Sequence, residues 1–589
     1  MRDLESLPCP MSHLTNNDIA EVFSAIADLM EILDEDRFRV QAYRRASDAL
    51  RDLPAPLATY RARGELEQIP GVGKAIAEKI GELLDTGELP YYLRLQEKVP
   101  PGVRELLRVP GVGPRTAGRL YRELGITSLA ELKIAAEDGR LATLKGFGAK
   151  TIEGILQGIS AAERQERRVL LAHALEIAEA LIDALRDAAP GLYQAAYAGS
   201  LRRGRPMVGD LDILAAADDA PAVVRAFTAL PLVARVESAG DEKASILLHN
   251  GMQADLIAVP PGMWGSALQH FTGSKAHNIR FRELALAQGL SFSEHGFRRT
   301  DGTLLTCATE EEVYAAVGLP WIPPELREDE GEFEAARAGA LPRLVELSDI
   351  RADLHMHSTW SDGRTDIRTM AEAARARGYS HIAITDHSAY VGLTHGLDPK
   401  RLHAQRQEIA ALNAEYAARG IPFRILHGVE VDITPEGNLA LPDDVLAELD
   451  IVVASAHVQL RQSPDAATER LIRAVRNPHV DIIGHPVGRM LGSREGAPVD
   501  IDALARAAAE HRVLLEVNSG PHRLDLDGPA VRRALALGAT ITINSDAHHP
   551  DNLAWMRLGV VTARRGWAGA AQVANTWSFA ALQEWLSRR

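Results

Sequence analysis

Cysteine is nearly missing from this 589-residue chain: Cys9 and Cys307 are the only two. No disulfide framework staples the fold, and a reducing cytoplasm is the expected compartment. No apolar run comes near the roughly 20 residues of a membrane span, and the N-terminal MRDLESLPCPMSHLTNNDIAEVF lacks the apolar core of a secretory signal. A membrane is therefore not an expected partner. A basic excess is missing too: 65 Lys and Arg against 80 Asp and Glu give a net charge of −15, which as a whole-chain figure counts against nucleic-acid binding. What remains is an ordinary globular composition, 46% hydrophobic and 25% charged, long enough for roughly three to five domains.

Distribution departs from the sum. Between Arg37 and Arg63 seven arginines stand against two acids, Asp48 and Asp52, and further basic clusters occur at RQERR (164–168), LRRGR (201–205) and KAHNIRFR (275–282). Each alone is usually only a solvated helix face and is weak evidence for a phosphate contact. Histidine is equally uneven, with 14 of the 20 from Arg351 onward, which separates two chemistries along the chain. Between them, PPELREDEGEFEAARAGALPRL (323–344) joins prolines to an acidic run without a strand pattern and reads as linker with some helix.

A motif recurs in the first 160 residues: LEQIPGVGKAIAEKI (66–80), LLRVPGVGPRTAGRL (106–120) and a looser LATLKGFGAKTIEGI (141–155). Each places a tight turn with two glycines, Gly71 and Gly73 or Gly111 and Gly113 in the close copies, before an amphipathic helix. The first N–H groups of such a helix lack internal partners and point outward, where the dipole also favours an anion, so a phosphate fits. Backbone donors read no base, and the expected grip on a nucleic-acid strand is independent of sequence. One PGVG is ordinarily a turn between helices; the repetition resembles the helix-hairpin-helix motif of DNA-repair proteins. The third copy, with Phe147 between its glycines, reads as partly structural.

In AYAGSLRRGRPMVGDLDILAAA (196–217) the alternating tail is a strand that projects Asp210 and Asp212 from one face. Neighbouring carboxylates repel unless a cation compensates, and oxygen ligands at this spacing suit Mg²⁺ bridging to substrate phosphates. MQADLIAVP (252–260) offers Asp255 as a third. Three carboxylates can hold two metals about 3.5–4 Å apart, one for an attacking hydroxyl and one for a leaving pyrophosphate. Gly199, Ser200 and Arg203 form a G-S-x-x-R loop able to offer backbone, hydroxyl and guanidinium donors to a triphosphate. G-S-L-R-R-G followed by G-D-L-D-I-L resembles the nucleotidyltransferase palm of family X DNA polymerases, and HFTGSKAHNIRFRELA (270–285) is similar to that family's nucleotide pocket. The resemblance covers about residues 12–330. It implies Asp210, Asp212 and Asp255 as the metal-binding catalytic triad, Ser200, Arg203 and Gly209 on the triphosphate, and His270, Phe271, Gly273 and Asn278 along the sugar and base. Eukaryotic members carry tyrosine where this chain has His270, which leaves sugar discrimination open. Lys79 falls at the lysine that serves some members as a deoxyribose-phosphate lyase; it reads equally as a phosphate contact.

From residue 351, seven short apolar strands alternate with alanine-rich amphipathic stretches: RADLHMH, HIAITDHS, FRILHGVEVDI, DIVVASAH, VDIIGHP, VLLEVNSG and TITINSDAH. The pattern indicates a parallel (β/α) barrel, whose functional residues gather at the C-terminal strand ends. The polar types fall there: His355, His357, Asp362, His387, Glu430, His457, His485, Asp546 and His548. Mixed imidazole and carboxylate donors fit Zn²⁺, Mn²⁺ or Fe²⁺ better than Mg²⁺. The motifs H-x-H, T-D-H, G-V-E, S-A-H, G-H-P and S-D-A-H resemble the polymerase and histidinol phosphatase (PHP) domain, which implies a three-metal cluster, filled by these nine residues, that hydrolyses phosphoesters. Asp386 reads as supporting a ligand rather than being one.

The expected fold is multidomain α+β and α/β. A lyase-like helical domain with the first hairpin motif occupies 1–90, a fingers-like domain 91–165, the palm 166–260, the thumb 261–325, a linker 326–350 and a seven-stranded PHP barrel 351–589. A family X polymerase followed by a PHP domain is the arrangement of bacterial family X enzymes. It implies a gap-filling repair polymerase with 3′–5′ exonuclease activity that extends to abasic sites or blocked 3′ ends. The expected cofactors are Mg²⁺ or Mn²⁺ in the palm and three Mn²⁺ or Zn²⁺ ions in the barrel. The expected partners are gapped or primer–template DNA, single-stranded 3′ ends and dNTPs, bound by a monomer. Two alternatives remain, a small-molecule phosphatase in the barrel and a DNA-binding scaffold with an inactive palm.

Overall fold

The computed structural model describes residues 16–51, 57–69, 71–87, 89–109, 111–166, 168–390 and 395–587, which fall into two compact units, Met1–Glu166 and Arg167–Arg589. Cys9 lies outside the described residues; Cys307 is buried as a free thiol. Among the described residues no helix is long and apolar enough to cross a membrane.

The first unit is helical, and one hydrophobic core runs through it from Ile19 to Ile159. All three glycine motifs make the same turn. Val72 N donates to the Ile69 carbonyl at 3.0 Å, Val112 N to Val109 at 2.9 Å and Phe147 N to Leu144 at 3.1 Å. Gly71, Gly111 and Gly146 sit at φ +86°, +90° and +97°, the left-handed position that the third residue of a type II turn requires. The helices Lys74–Thr86 and Pro114–Leu124 then start from extended Gly73 and Gly113 with no side-chain cap. The third copy is thus geometrically intact, with Phe147 buried in the core. The arginine-rich stretch is less free than its composition suggests. Arg39 pairs with Glu35 at 3.1 Å, Arg44 with Asp28 at 2.5 Å, and Arg61 with Asp85.

The second unit opens with a five-stranded sheet in the order Leu192–Tyr197, Asp210–Ala217, Gln253–Val259, Lys243–Leu248, Val233–Ala239. The two strands that carry the predicted acids are its only parallel neighbours, a pairing that brings their like ends together. The helices Leu171–Ala188 and Ala220–Thr228 bury their apolar sides against one face, and Trp264–Thr272 covers the other. A three-stranded antiparallel sheet (Leu290–Ser293, Gly296–Arg299, Leu304–Leu305) and the helices Lys275–Leu286 and Glu310–Ala315 build the next layer. Residues 326–350, expected as a linker, pack instead: Arg327 and Phe333 are fully buried, and the helix Glu332–Arg337 belongs to that layer's core. Composition misled here because the segment's charges find partners on other elements; His277 Nδ1 meets Glu332 at 2.7 Å and Arg327 donates to Glu310 at 2.6 Å.

The last 239 residues form seven parallel strands in sequence order, from Ala352–Asp353 to Ile541–Asn544, with a parallel bridge between Met356 and Ala547 joining last to first. Alternation along the strands is the organising fact. Ala383, Leu426, Val453 and Leu514 fill the interior cluster, while Ile382, Ile425, Val452 and Leu515 face the surrounding helices. Leu582, of the C-terminal helix Phe579–Ser587, closes the floor of that interior.

Candidate active sites

In the sheet, Asp212 stands opposite Asp255 across the parallel pair, with Asp210 two residues back on the same face. Gln253, opposite Asp210, donates Nε2 to both Asp255 oxygens at 3.1 and 3.2 Å. Burial, and then the charges of Asp210 and Asp255, push the Asp212 carboxyl up to about 7. Burial and Asp255 raise Asp210 as well. Such a trio is unfavourable as three bare anions and is matched to divalent cations with oxygen preference, so the donor set fits the expected metals. Gly199 at φ +58° passes so close that a Cβ there would lie 2.0 Å from Asp212 Oδ2. The loop and the carboxylate are therefore held against each other, with Ala198 N bonded to the Asp212 carbonyl at 2.7 Å. Ser200 sits in that loop, where its carbonyl accepts from Arg205 N at 3.0 Å, and Gly209 packs beside Arg168.

His270, Phe271, Gly273 and Asn278 gather beside the loop. Asn278 Nδ2 donates to the His270 carbonyl at 2.6 Å, the His270 and Phe271 rings meet edge-on at 5.1 Å, and a Cβ on Gly273 would lie 3.0 Å from Arg203 Nη1. Burial lowers the His270 imidazole, which favours its neutral form. Arg203 is engaged within the chain: Nη1 donates to the Thr272 carbonyl and Nε to Glu328 at 3.2 Å. LRRGR is an internal network rather than an outward basic patch, since Arg202 also makes two 2.8 Å bonds to Glu310.

At the barrel mouth all nine predicted residues converge. The parity that puts Ala383, Leu426 and Val453 inside delivers His387, Glu430 and His457 to the top of the same interior. His485 breaks parity with interior Ile482, and its backbone takes φ +25°; Asp546 is at φ +53°. Left-handed non-glycine residues are costly, and here two of them lie within one cluster. Glu430 is the centre. It approaches His387 Nδ1 at 2.9 Å, His485 Nε2 at 3.1 Å, His457 Nε2 at 3.3 Å and His355 Nε2 at 3.4 Å. Asp546 meets His357 Nε2 at 3.0 Å, and Asp362 meets His548 Nε2 at 3.3 Å and His387 Nε2 at 3.6 Å. Burial opposes charge on Glu430, yet the imidazoles of His387, His355 and His457 hold it well below the usual carboxylate range. Burial also opposes protonation of His457, but Glu430 and Asp432 raise it to about 9. Burial with His548 and His387 nearby lowers His357 to about 3.

Three groups of these donors lie within 4.8 Å of one another: His357, Asp362, His387 and His548; His355, His357 and Glu430; His387, Glu430 and His457. His355 Nε2, His357 Nδ1, Glu430 Oε2 and His485 Nδ1 are buried without a hydrogen-bond partner. Orphaned acceptors converging on one space fit metal ions better than they fit each other. Gly484 makes room beneath them, since a Cβ would lie 2.3 Å from Ser455 Oγ and 3.6 Å from the His355 ring.

Sequence reasoning missed the supports. Glu516 accepts from His355 Nδ1 at 2.8 Å and His485 N at 2.7 Å, and Asp432 holds His457 Nδ1 at 2.7 Å, orientations that fix which nitrogen faces the cluster. The signal was present: an acid inside the apolar strand LLEVN, and a second acid two residues after Glu430. Asp386 accepts from Ser358 N, Ser361 N and Gln405 Nε2, as expected of a support. Lys79 lies in the first unit, its Nζ 3.1 Å from the Ala75 carbonyl and 5.2 Å from the Tyr91 ring centre.

Comparison with known proteins follows this division. Family models match residues 14–89 (helix-hairpin-helix domain), 103–160 (SAM-like helix-hairpin-helix tandem), 267–328 (DNA polymerase beta thumb) and 353–520 (PHP domain). The chain is 40% identical over 574 residues to the DNA polymerase/3′-5′ exonuclease PolX of Bacillus subtilis, spanning 97% of this chain and 99% of that one. It is 29% identical over 343 residues to DNA polymerase lambda of Rattus norvegicus, 53% of this chain and 56% of the relative. A probable phosphatase of a Thermoanaerobacter species is 34% identical over 209 residues, 33% of this chain and 78% of the relative.

Proposed function

The chain belongs to the PolX family, family X DNA polymerases with a C-terminal PHP domain, and from that membership we propose how its two sites divide one task. It is a DNA-directed DNA polymerase of repair type that also carries a 3′–5′ exonuclease. The sheet and the layer after it, residues 166–260 and 261–325, act as palm and thumb. The barrel from 351 onward removes nucleotides. The helical modules 1–90 and 91–165 hold DNA through the turns at Gly71, Gly73, Gly111 and Gly113. The observation that supports this reading is that one chain carries two separate clusters at strand ends, three mutually repelling carboxylates and a buried imidazole–carboxylate cup.

In the palm, Asp210, Asp212 and Asp255 would hold Mg²⁺ or Mn²⁺, which supplies charge neutralisation to the attacking hydroxyl and the departing pyrophosphate. Ser200, Arg203 and the Gly199 and Gly209 backbone hold the triphosphate of a dNTP, while His270, Phe271, Gly273 and Asn278 fix its sugar and base. In the barrel, His355, His357, Asp362, His387, Glu430, His457, His485, Asp546 and His548 would hold Mn²⁺ or Zn²⁺, three ions in all, which supply the activated water and neutralise the phosphodiester. Glu516 and Asp432 keep the imidazoles aimed. The monomer fills short gaps and cleans 3′ ends, abasic or blocked termini included.

A gapped, end-labelled duplex assayed for extension and shortening across metals tests this. Asp212→Ala abolishes extension and leaves shortening; His355→Ala does the reverse. Loss of both activities in either variant overturns the two-site division. The phosphatase relative gives a second reading, a barrel that acts on small phosphate monoesters. Turnover of such monoesters without DNA shortening would establish it.

A further inference from the structure

The barrel does not merely follow the polymerase; it reaches into its nucleotide site. The helix Met556–Arg565 of the barrel packs on the Gly199–Arg205 loop so closely that a Cβ on Gly204 would lie 2.1 Å from Val561 Cγ1. At its last turn Arg565 Nη1 donates to the Arg203 carbonyl at 2.7 Å and to Glu328 Oε1 at 3.3 Å. Glu328 Oε1 is the same oxygen that takes Arg203 Nε at 3.2 Å, with Arg205 Nη1 at 3.7 Å. The Arg565 side chain is only 8% exposed and that of Arg203 13%. Three guanidiniums thus share one carboxylate beside Asp212. The surplus positive charge, with Arg203 and Arg565 largely shielded from water and Arg205 44% exposed, is suited to a polyanion arriving at the loop.

We propose that Arg565 is a positioning residue of the nucleotide site: by clamping the Arg203 carbonyl and Glu328 it sets the guanidinium of Arg203 for the triphosphate. The nuclease barrel is then a structural part of the polymerase. The clamp keeps the loop in place when the Arg203 side chain exchanges Glu328 for phosphate, because Arg565 remains to pair that carboxylate. The inference rests on the reading of Arg203 as a triphosphate ligand.

Single-nucleotide insertion by the full-length protein, with dNTP titrated, tests it. Arg565→Ala should raise KM for dNTP about tenfold with kcat within about twofold, the signature of lost binding rather than lost chemistry. Arg565→Lys, which keeps a charge and a donor, should bring KM back to within about threefold of the parent. Shortening of a labelled 3′ end stays unchanged in both and reports a folded barrel. If the alanine variant fails to fold, the shorter, neutral Arg565→Gln takes its place, with KM up at least about threefold. A KM within about twofold of the parent in Arg565→Ala or Arg565→Gln, while Arg203→Ala raises it, overturns this inference alone. A KM unmoved in Arg203→Ala overturns both it and the reading of Arg203.

Discussion

The palm and the barrel use one rule, side chains two apart on a strand, to opposite electrostatic ends. In the palm the carboxylates face each other with little to balance them, so burial and mutual repulsion raise Asp212 to about 7. In the barrel each acid is surrounded by imidazoles, and Glu430, fully buried, and Asp546, largely buried, are held well below the usual range. The acid trio, which disfavours its own charge, is therefore expected to take cations that arrive with the substrate, whereas the cup of mutually oriented donors is expected to keep its ions between turnovers.

Glu430→Gln attacks that difference most directly. It removes the charge that four imidazole nitrogens approach within 3.4 Å, and shortening should fall more than about 10³-fold, since breaking a buried pair strands its partners. Metal content after gel filtration should fall with it, while extension continues. Chelation probes the same contrast in the parent protein: after dialysis, Mg²⁺ restores extension at once, whereas shortening returns only on reloading with Mn²⁺ or Zn²⁺. If Mg²⁺ revived both activities equally, the distinction between visiting and resident ions would collapse.

Beside the palm, Glu310 shows what a fully paired acid costs to disturb. Burial would raise it, but Arg327 and Arg202 hold it far below the usual range. A depressed folded pKa gives stability that is complete above the unfolded value near 4.5 and is lost as pH falls through the folded one. Glu310→Gln should therefore cost about 3–5 kcal/mol at pH 7. The gap between variant and parent in denaturant titrations should narrow below pH 4.5. A gap that widens in acid would mean that the network's contribution lies elsewhere.

Gly199→Ala should cost less, and only in the palm. The new methyl meets Asp212 Oδ2 in a left-handed backbone position, and displacing the carboxylate by a fraction of an ångström should lower kcat/KM for extension about tenfold. Shortening is the internal control, and an equal loss there would show that the variant is generally unfolded.

The barrel site was legible because its signal repeats: six of the seven strands end in ligand types, with Glu430 and His457 on the same parity as the apolar residues beneath them. The palm acids were legible from D-x-D. The palm's own supports were not, because Glu328 and Arg565 lie 237 residues apart and meet only through tertiary packing. The acidic stretch around Glu332 read as linker with some helix because a sequence does not show that the buried His277, 55 residues away, donates to Glu332 at 2.7 Å. Local patterns expose what a strand presents; the partners that hold it come from other elements.

Lys79 carries the smallest expected effect and sharpens the comparison by asking whether a third chemistry exists in the first unit. Its ammonium lies 5.2 Å over Tyr91, whose ring stacks on Tyr43 at 6.0 Å and whose hydroxyl accepts from Arg39 at 3.0 Å. As a lyase, the amine would add to the sugar aldehyde of an abasic 5′-phosphate and expel water, and borohydride would reduce the imine to a stable adduct. That adduct is the expected result, lost in Lys79→Ala while DNA affinity falls no more than about fivefold. If the parent protein yields none, Lys79 is a phosphate contact only. Its removal then lowers the slope of log affinity against log salt by about one unit, a change the palm and barrel variants do not share.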